Sequence, residues 1–221
     1  MLKFENFNLF NRIKKCDIVD CGLHPSRGSA MQVVPGDGPI NARIMFVGEG
    51  PGADEDSSGH PFIGKAGKLL TKMLSAVGID RYNDIFITNI VKCRPPGNRD
   101  PIYQEIKCCE FWLQSQIGFI KPEVLVVIGR ISKDVFIPST PTITKCHGTV
   151  YDAPITLNLI DKGDGIIDAL NVKVMPILHP SYIERNGGDR GTMFQDTIGD
   201  LENLIDLIYD PDNPSHWTRK I

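Results

Sequence analysis

Glu49 opens an acidic, glycine-rich segment, Val47-Gly48-Glu49-Gly50-Pro51-Gly52-Ala53-Asp54-Glu55-Asp56, followed closely by Gly59-His60-Pro61-Phe62-Ile63-Gly64-Lys65-Ala66-Gly67. A carboxylate such as Glu49 can position or deprotonate a water. Glycines 48, 50 and 52 let the backbone approach a flat or bulky ligand closely. Glu49, Asp54, Glu55 and Asp56 place negative charge where phosphate-binding loops carry none, so the segment suits a neutral base better than a nucleotide phosphate. Two other groups have matching chemistry. Asn89 carries a carboxamide that donates and accepts at once, and His179 carries an imidazole able to donate to a developing anion. Residue type alone also allows plainer roles: a helix cap for Glu49, a turn former for Asn89 and a core aromatic for Phe62.

Six cysteines supply the remaining reactive groups. Cys16 and Cys21 form a C-x4-C pair, Cys93 ends the run Asn89-Ile90-Val91-Lys92-Cys93, and Cys108-Cys109 follows in a helical pattern. Thiolates from these separate segments can close one site for zinc or an iron–sulfur cluster, with buried free thiols as the alternative. Structural disulfides do not fit an intracellular chain, which is the compartment expected here.

The elements that must position these groups alternate along the chain. Apolar runs at 43–47, 85–88, 124–128 and 172–177 predict four strands. Helices are predicted near 65–77, where Leu69, Leu70, Met73, Leu74 and Val77 keep a 3.6-residue period, and near 102–117 and 194–208. Near-continuous apolar strands between helices indicate a mainly parallel sheet covered on both faces, a single-domain three-layer α/β/α arrangement over residues 1–221. Residues 141–171 read as a β-rich excursion, residues 1–42 as an extension packed on the sheet, and residues 210–221 as a loose tail. Glu49, Asn89 and His179 all follow strands, where open α/β sheets bind their ligands.

Of the 221 residues, 41% are hydrophobic and 23% charged, which is ordinary for a globular chain. No apolar run approaches the roughly 20 residues of a membrane span, and the N-terminus lacks a signal-peptide pattern, so a cytoplasmic location is expected. The formal net charge of -3 gives no overall basic footprint, so any DNA contact must be local. Lys65, Lys68, Lys92, Arg94 and Arg99 lie on the loops that would form such a rim.

Taken in order, the acidic glycine-rich segment, Gly59 to Gly67, Thr88-Asn89-Ile90-Val91-Lys92-Cys93-Arg94-Pro95-Pro96-Gly97-Asn98-Arg99 and His179-Pro180-Ser181 resemble the family 4 uracil-DNA glycosylases, the iron–sulfur branch. The likeness extends over roughly residues 16 to 208. It implies a uracil-DNA glycosylase-like fold with the N-terminal extension tethered by a [4Fe–4S] cluster on Cys16, Cys21, Cys93 and Cys109. Cys109 is preferred to Cys108 by its position relative to Ile106 and Leu113. The first pair departs from the family's usual C-x2-C by two additional residues.

The resemblance also implies an activity: hydrolysis of the N-glycosidic bond of flipped-out deoxyuridine in single- or double-stranded DNA, releasing uracil and leaving an abasic site for base excision repair. Asn89 then reads the pairing edge of uracil, Phe62 stacks on the base, and Glu55 stands against C5. Gly50 borders the base in a position where better-known uracil glycosylases carry an aspartate. Glu49 serves the attacking water and His179 the departing uracil anion. Ser181, Ile183 and Arg185 grip the DNA, Ile183 as an apolar wedge. A monomer is expected, and the sequence does not disclose a sliding-clamp partner. A different class, a catalytically weak iron–sulfur DNA-binding or damage-sensing protein of the same fold, shares all of these features except turnover. Nucleotide motifs fit poorly. Pro51 interrupts the imitation of a dinucleotide fingerprint, and Gly59 to Lys65 is followed by Ala66 where a P-loop needs Ser or Thr.

Overall fold

The computed structural model describes residues 9–16, 18, 21–28, 30–158 and 167–208. The expected tail over 210–221 and the middle of the excursion lie outside them. Three wholly buried runs form parallel strands at the centre: β1 (Ile44–Gly48), β2 (Ile85–Asn89) and β3 (Val124–Ile128). Two further strands, β4 (Tyr151–Asn158) and β5 (Ile167–Ile177), complete a sheet of order β2-β1-β3-β5-β4. β5 runs parallel to β3, with Val124 opposite Lys173, and β4 runs antiparallel to β5, with Tyr151 opposite Val174.

The sheet therefore has five strands where four are predicted, and the fourth predicted strand begins at 167 instead of 172. The added strand lies in the excursion. Ala153, Ile155 and Leu157 are buried while Asp152, Pro154 and Thr156 are exposed, the alternation of a strand with one wet face. Pro154 cannot donate to a ladder, which suits an edge.

Alternation also sorts the central strands into two cores. Ile44, Phe46, Ile85, Ile87, Val124, Val126 and Met175 face one side. Against them pack α2 (Lys65–Ala76), through Leu69, Leu70, Met73 and Leu74, and α7 (Thr192–Ile208), through Phe194, Leu201, Leu204 and Ile208. These spacings repeat every three or four residues, the helical stripe that buries one face. Met45, Val47, Phe86, Leu125 and Val127 face the other side, covered by α3 (Tyr103–Ile120) through Trp112, Leu113 and Ile117. Each fully buried Leu or Ile contributes about 1.5–3 kcal/mol, so both helical layers are firmly held.

The segment before β1 closes the β2 edge. Asp37 and Ile87 exchange both main-chain hydrogen bonds at 2.9 and 2.8 Å, and Val34 N–H donates to the Lys92 carbonyl at 2.7 Å. Gln116 Nε2 and Thr88 Oγ1 both donate to the Pro35 carbonyl. Asp56 accepts from the N–H groups of Met31 and Gln32. Hydrogen bonds thus fasten residues 31–37 without help from the cysteines. Among the described residues, no helix is long and apolar enough to cross a membrane.

Candidate active site

The turn after β1 carries Glu49, Gly50, Pro51 and Gly52 into the short helix α1 (Ala53–Ser58). Glu55 knots this segment together. One of its carboxylate oxygens accepts from the N–H groups of Ile63 and Gly64 at 2.9 and 2.8 Å, the other from Gly52 N–H at 3.1 Å. The knot presents Phe62, whose φ of 52° is left-handed and costs a side-chain-bearing residue about 1 kcal/mol or more. Buried Arg81 offsets that cost by donating to the carbonyls of Pro61 and Phe62, the latter at 2.7 Å. Gly48 and Gly67 have to be glycine here. A Cβ on Gly48 would lie 2.4 Å from the Phe62 ring and 2.5 Å from Asn89 Oδ1, and one on Gly67 would lie 1.8 Å from the Phe62 carbonyl oxygen.

Asn89 ends β2 opposite Gly48 and is 1% exposed. Its main-chain carbonyl accepts from Lys92 Nζ at 2.6 Å, which fixes the residue, while its side-chain Oδ1 is buried with no hydrogen-bond partner. Leaving such an acceptor unpaired costs about 1–3 kcal/mol. Lys92 is not on a basic rim as predicted. It folds back to Thr88 Oγ1 and the Asn89 carbonyl and is fully buried, which pushes its amine down to about 7.

His179 lies in the turn after β5 and begins α6 (Pro180–Arg185). Its Nδ1 receives the Ser181 main-chain N–H at 3.1 Å and lies 2.8 Å from Ser181 Oγ. Since an N–H can only donate, Nδ1 is the acceptor and the ring proton sits on Nε2. Burial, reinforced by the positive charge of Arg185, lowers the imidazole pKa to about 4, so the ring is neutral near pH 7. Ser181, expected to grip DNA, instead orients this imidazole. Ile183 is corrected outright. It is 0% exposed in the core beneath α2 and α7 because Pro180 and Ile183, three apart, share the buried face of α6, so it is no groove wedge.

A cavity of about 740 Å³ unites these groups, bordered by Glu49, Gly50, Glu55, Phe62, Asn89, His179, Ser181 and Arg185. Four strand-end loops build it where three are predicted. The fourth follows β3, where Gly129 starts α4 (Gly129–Phe136) and brings Arg130 to the wall. Asp100, from the Pro-rich loop after β2, also lines the cavity and pairs with Arg130 at 2.6 Å. Sequence reading missed both. The available signals were the position of Arg130 just past a strand end and that of Asp100 directly after the Arg94–Arg99 motif. Burial, followed by the neighbouring Asp100 charge, raises the Glu49 carboxyl to about 7, with Arg130 opposing. Of the expected basic rim, Lys65 pairs with Glu184 at 2.7 Å and Arg99 with Glu105 at 2.5 Å.

The thiols gather on the opposite core. Cys21, Cys93 and Cys109 are buried and Cys16 is half-buried in the same apolar cluster. Burial raises the Cys93 thiol, and Cys109, Cys21 and Cys16 each raise it further by proximity. Cys109 is pushed up to about 11, mainly by burial, although Lys92 counteracts. Trp112 Nε1 donates to Cys16 Sγ at 3.2 Å, which ties the first cysteine of the C-x4-C pair to α3. Cys108 lies beside Gln104 and is not among the neighbours acting on Cys93. Among the described residues, no three His, Cys, Asp or Glu side chains are arranged to hold a single metal ion.

A mostly parallel sheet thus gathers an amide, an aromatic, an acid and an imidazole around one cavity at its strand ends. Residues 35–202 match the model of the uracil DNA glycosylase superfamily. Within it, the chain is 43% identical over 176 residues to the type-4 uracil-DNA glycosylase of Thermotoga maritima, covering 79% of this chain and 81% of the relative. It is 37% identical over 206 residues to the type-4 enzyme of Pyrobaculum aerophilum (92% and 96%) and 40% identical over 167 residues to that of Archaeoglobus fulgidus (74% and 76%). The chain belongs to the type-4 uracil-DNA glycosylases.

Proposed function

We propose that the crevice receives one uracil extruded from DNA and hydrolyses its bond to the sugar. The buried Oδ1 of Asn89, without a hydrogen-bond partner and on a residue that borders the cavity with Glu49 and His179, carries this reading. Uracil offers N3–H to Oδ1 and O4 to the amide N–H, whereas cytosine reverses both requirements. The base leaves the stack because its glycosidic carbon is inaccessible inside a duplex. Phe62 supplies a sequence-indifferent stacking face worth roughly 1–3 kcal/mol. Glu55, fixed by three main-chain N–H groups, forms a rigid wall against a 5-methyl group, and Gly50 lets the base lie close to the backbone.

As C1′–N1 breaks, its electron pair moves onto uracil, where the Nε2–H of His179 donates to O2. The neutral ring needs no prior protonation. The anionic form of Glu49 orients water and takes its proton as the water oxygen bonds to C1′, and its charge favours the cationic sugar. The uracil anion is then protonated to free base. Arg185 at the cavity mouth suits a DNA phosphate, so binding to single- or double-stranded DNA weakens as salt rises.

Cys16, Cys21, Cys93 and Cys109 fit a [4Fe–4S] cluster. Burial and the neighbouring Cys16 and Cys21 raise the Cys93 and Cys109 thiols, a penalty that ligation as thiolates would reverse. Such a cluster would cross-link the N-terminal segment, the loop after β2 and α3. The chain then acts as a monomer, one unit from 1 to 221.

Incubation with uracil-containing and matched thymine oligonucleotides, followed by alkaline cleavage of abasic sites, tests the reading. Scission confined to uracil strands is expected. Retarded but uncut DNA would replace the enzyme with a damage-sensing module.

A further inference from the structure

The chain position after Glu49 is Gly50, which brings no side chain to the cavity wall. The fold explains why no side chain sits there. A Cβ on Gly50 would come within 2.9 Å of Val91 Cγ2 and 3.4 Å of Pro95. A carboxylate nevertheless reaches the same wall from elsewhere. Asp100 arrives on the loop after β2 and lines the cavity with Glu49, where its charge opposes ionisation of that carboxyl. Arg130 on α4 holds Asp100 at 2.6 Å and also reaches Asp134 at 3.8 Å.

We propose that Asp100 is a positioning residue of the water-activating site: it sets the charge against which Glu49 takes the water proton, and is itself kept in register by Arg130. This rests on the reading of Glu49 given above. In the step itself, a water O–H bond breaks, its proton passes to Glu49, the oxygen bonds to C1′, and the C1′–N1 electron pair leaves with uracil. Glu49 then returns the proton to the uracil anion or to solvent, so atoms and charge balance.

Other charged groups facing the crevice do not substitute for this pair. Glu55 on α1 is committed to three main-chain N–H groups, and Arg99 is held by Glu105. His179 is neutral, and Arg185 on α6 acts on His179. Asp100 and Arg130 are the neighbours whose charges bear on Glu49, and they do so with opposite sign.

Single-turnover uracil release with saturating enzyme, followed from pH 5 to 9, tests the proposal. Wild-type rates should rise with pH through a single limb. Asp100→Asn should move the limb down by roughly half a unit, by removing a like charge, and lower the plateau several-fold. Arg130→Gln should move it up by a similar amount, and Asp100→Glu should return it toward wild type. Limbs unmoved in both Asp100→Asn and Arg130→Gln would overturn the proposal, as would shifts in the same direction. Glu49→Gln separates the two failures. If it keeps the wild-type limb, the reading of Glu49 falls and this inference with it. If it loses the limb while the Asp100 and Arg130 variants leave theirs unmoved, only the inference fails.

Discussion

Three residues of chain separate Asn89, at the wall of the crevice, from Cys93, in the thiol cluster, and the two regions are built on opposite principles. In the crevice, main-chain groups hold the working side chains from behind: Ser181 N–H sets the His179 tautomer, and Gly52, Ile63 and Gly64 fix Glu55. Its polar atoms are prepared before any base arrives. In the thiol cluster, apolar packing dominates and pushes thiols away from the ionised state. The first region spends folding energy on orientation, the second on proximity. Substitutions in the crevice should therefore remove activity and spare stability, and those among the thiols should do the reverse.

The largest effect is expected at Glu49. Glu49→Gln should lower uracil release about 10²- to 10⁴-fold with an unchanged melting temperature. With the carboxyl raised to about 7, its basic form is lost as pH falls, so wild-type rates should drop below about pH 7. The limb belongs to Glu49 and not to His179, since an imidazole lowered to about 4 keeps one protonation state across that range. His179→Ala should cost about 10²- to 10³-fold in kcat yet retain the limb, which stopped-flow or quench kinetics can read.

Asn89→Ala should lower kcat/KM about 10²-fold by removing both contacts to the pairing edge, again with normal thermal unfolding. Cysteine variants sharpen the contrast. Cys109→Ala should abolish absorbance near 400 nm in anaerobically purified protein and lower the melting temperature, whereas Cys108→Ala should preserve both. Equal behaviour of the two would erase the distinction between ligand and bystander. The smallest effect is expected for Thr156→Lys on the exposed face of β4, within about 0.5 kcal/mol by denaturant titration.

The central strands were legible because burial on both faces leaves an unbroken apolar run. The β character of the 141–171 excursion was legible, but the bounds of β4 were not, since its half-exposed alternation and Pro154 leave no continuous apolar run. The acid, amide, aromatic and imidazole were legible as residue types at strand ends. What escaped was everything decided by rotation or by distant contact. Helical phase sends Ile183 inward, local hydrogen bonding draws Lys92 into the core, and Asp100 meets Glu49 and Arg130 across three separate loops. Glu55 was located, but its three main-chain partners lie up to nine residues away and could not be read from spacing.

Arg81 does not line the cavity, yet it clasps the two carbonyls beneath Phe62. The backbone that carries the ring is consequently held by a guanidinium standing behind the cavity wall. Losing that clasp would let the aromatic relax toward ordinary backbone geometry, and a lesion remote from the DNA would surface as blurred discrimination between bases instead of as unfolding.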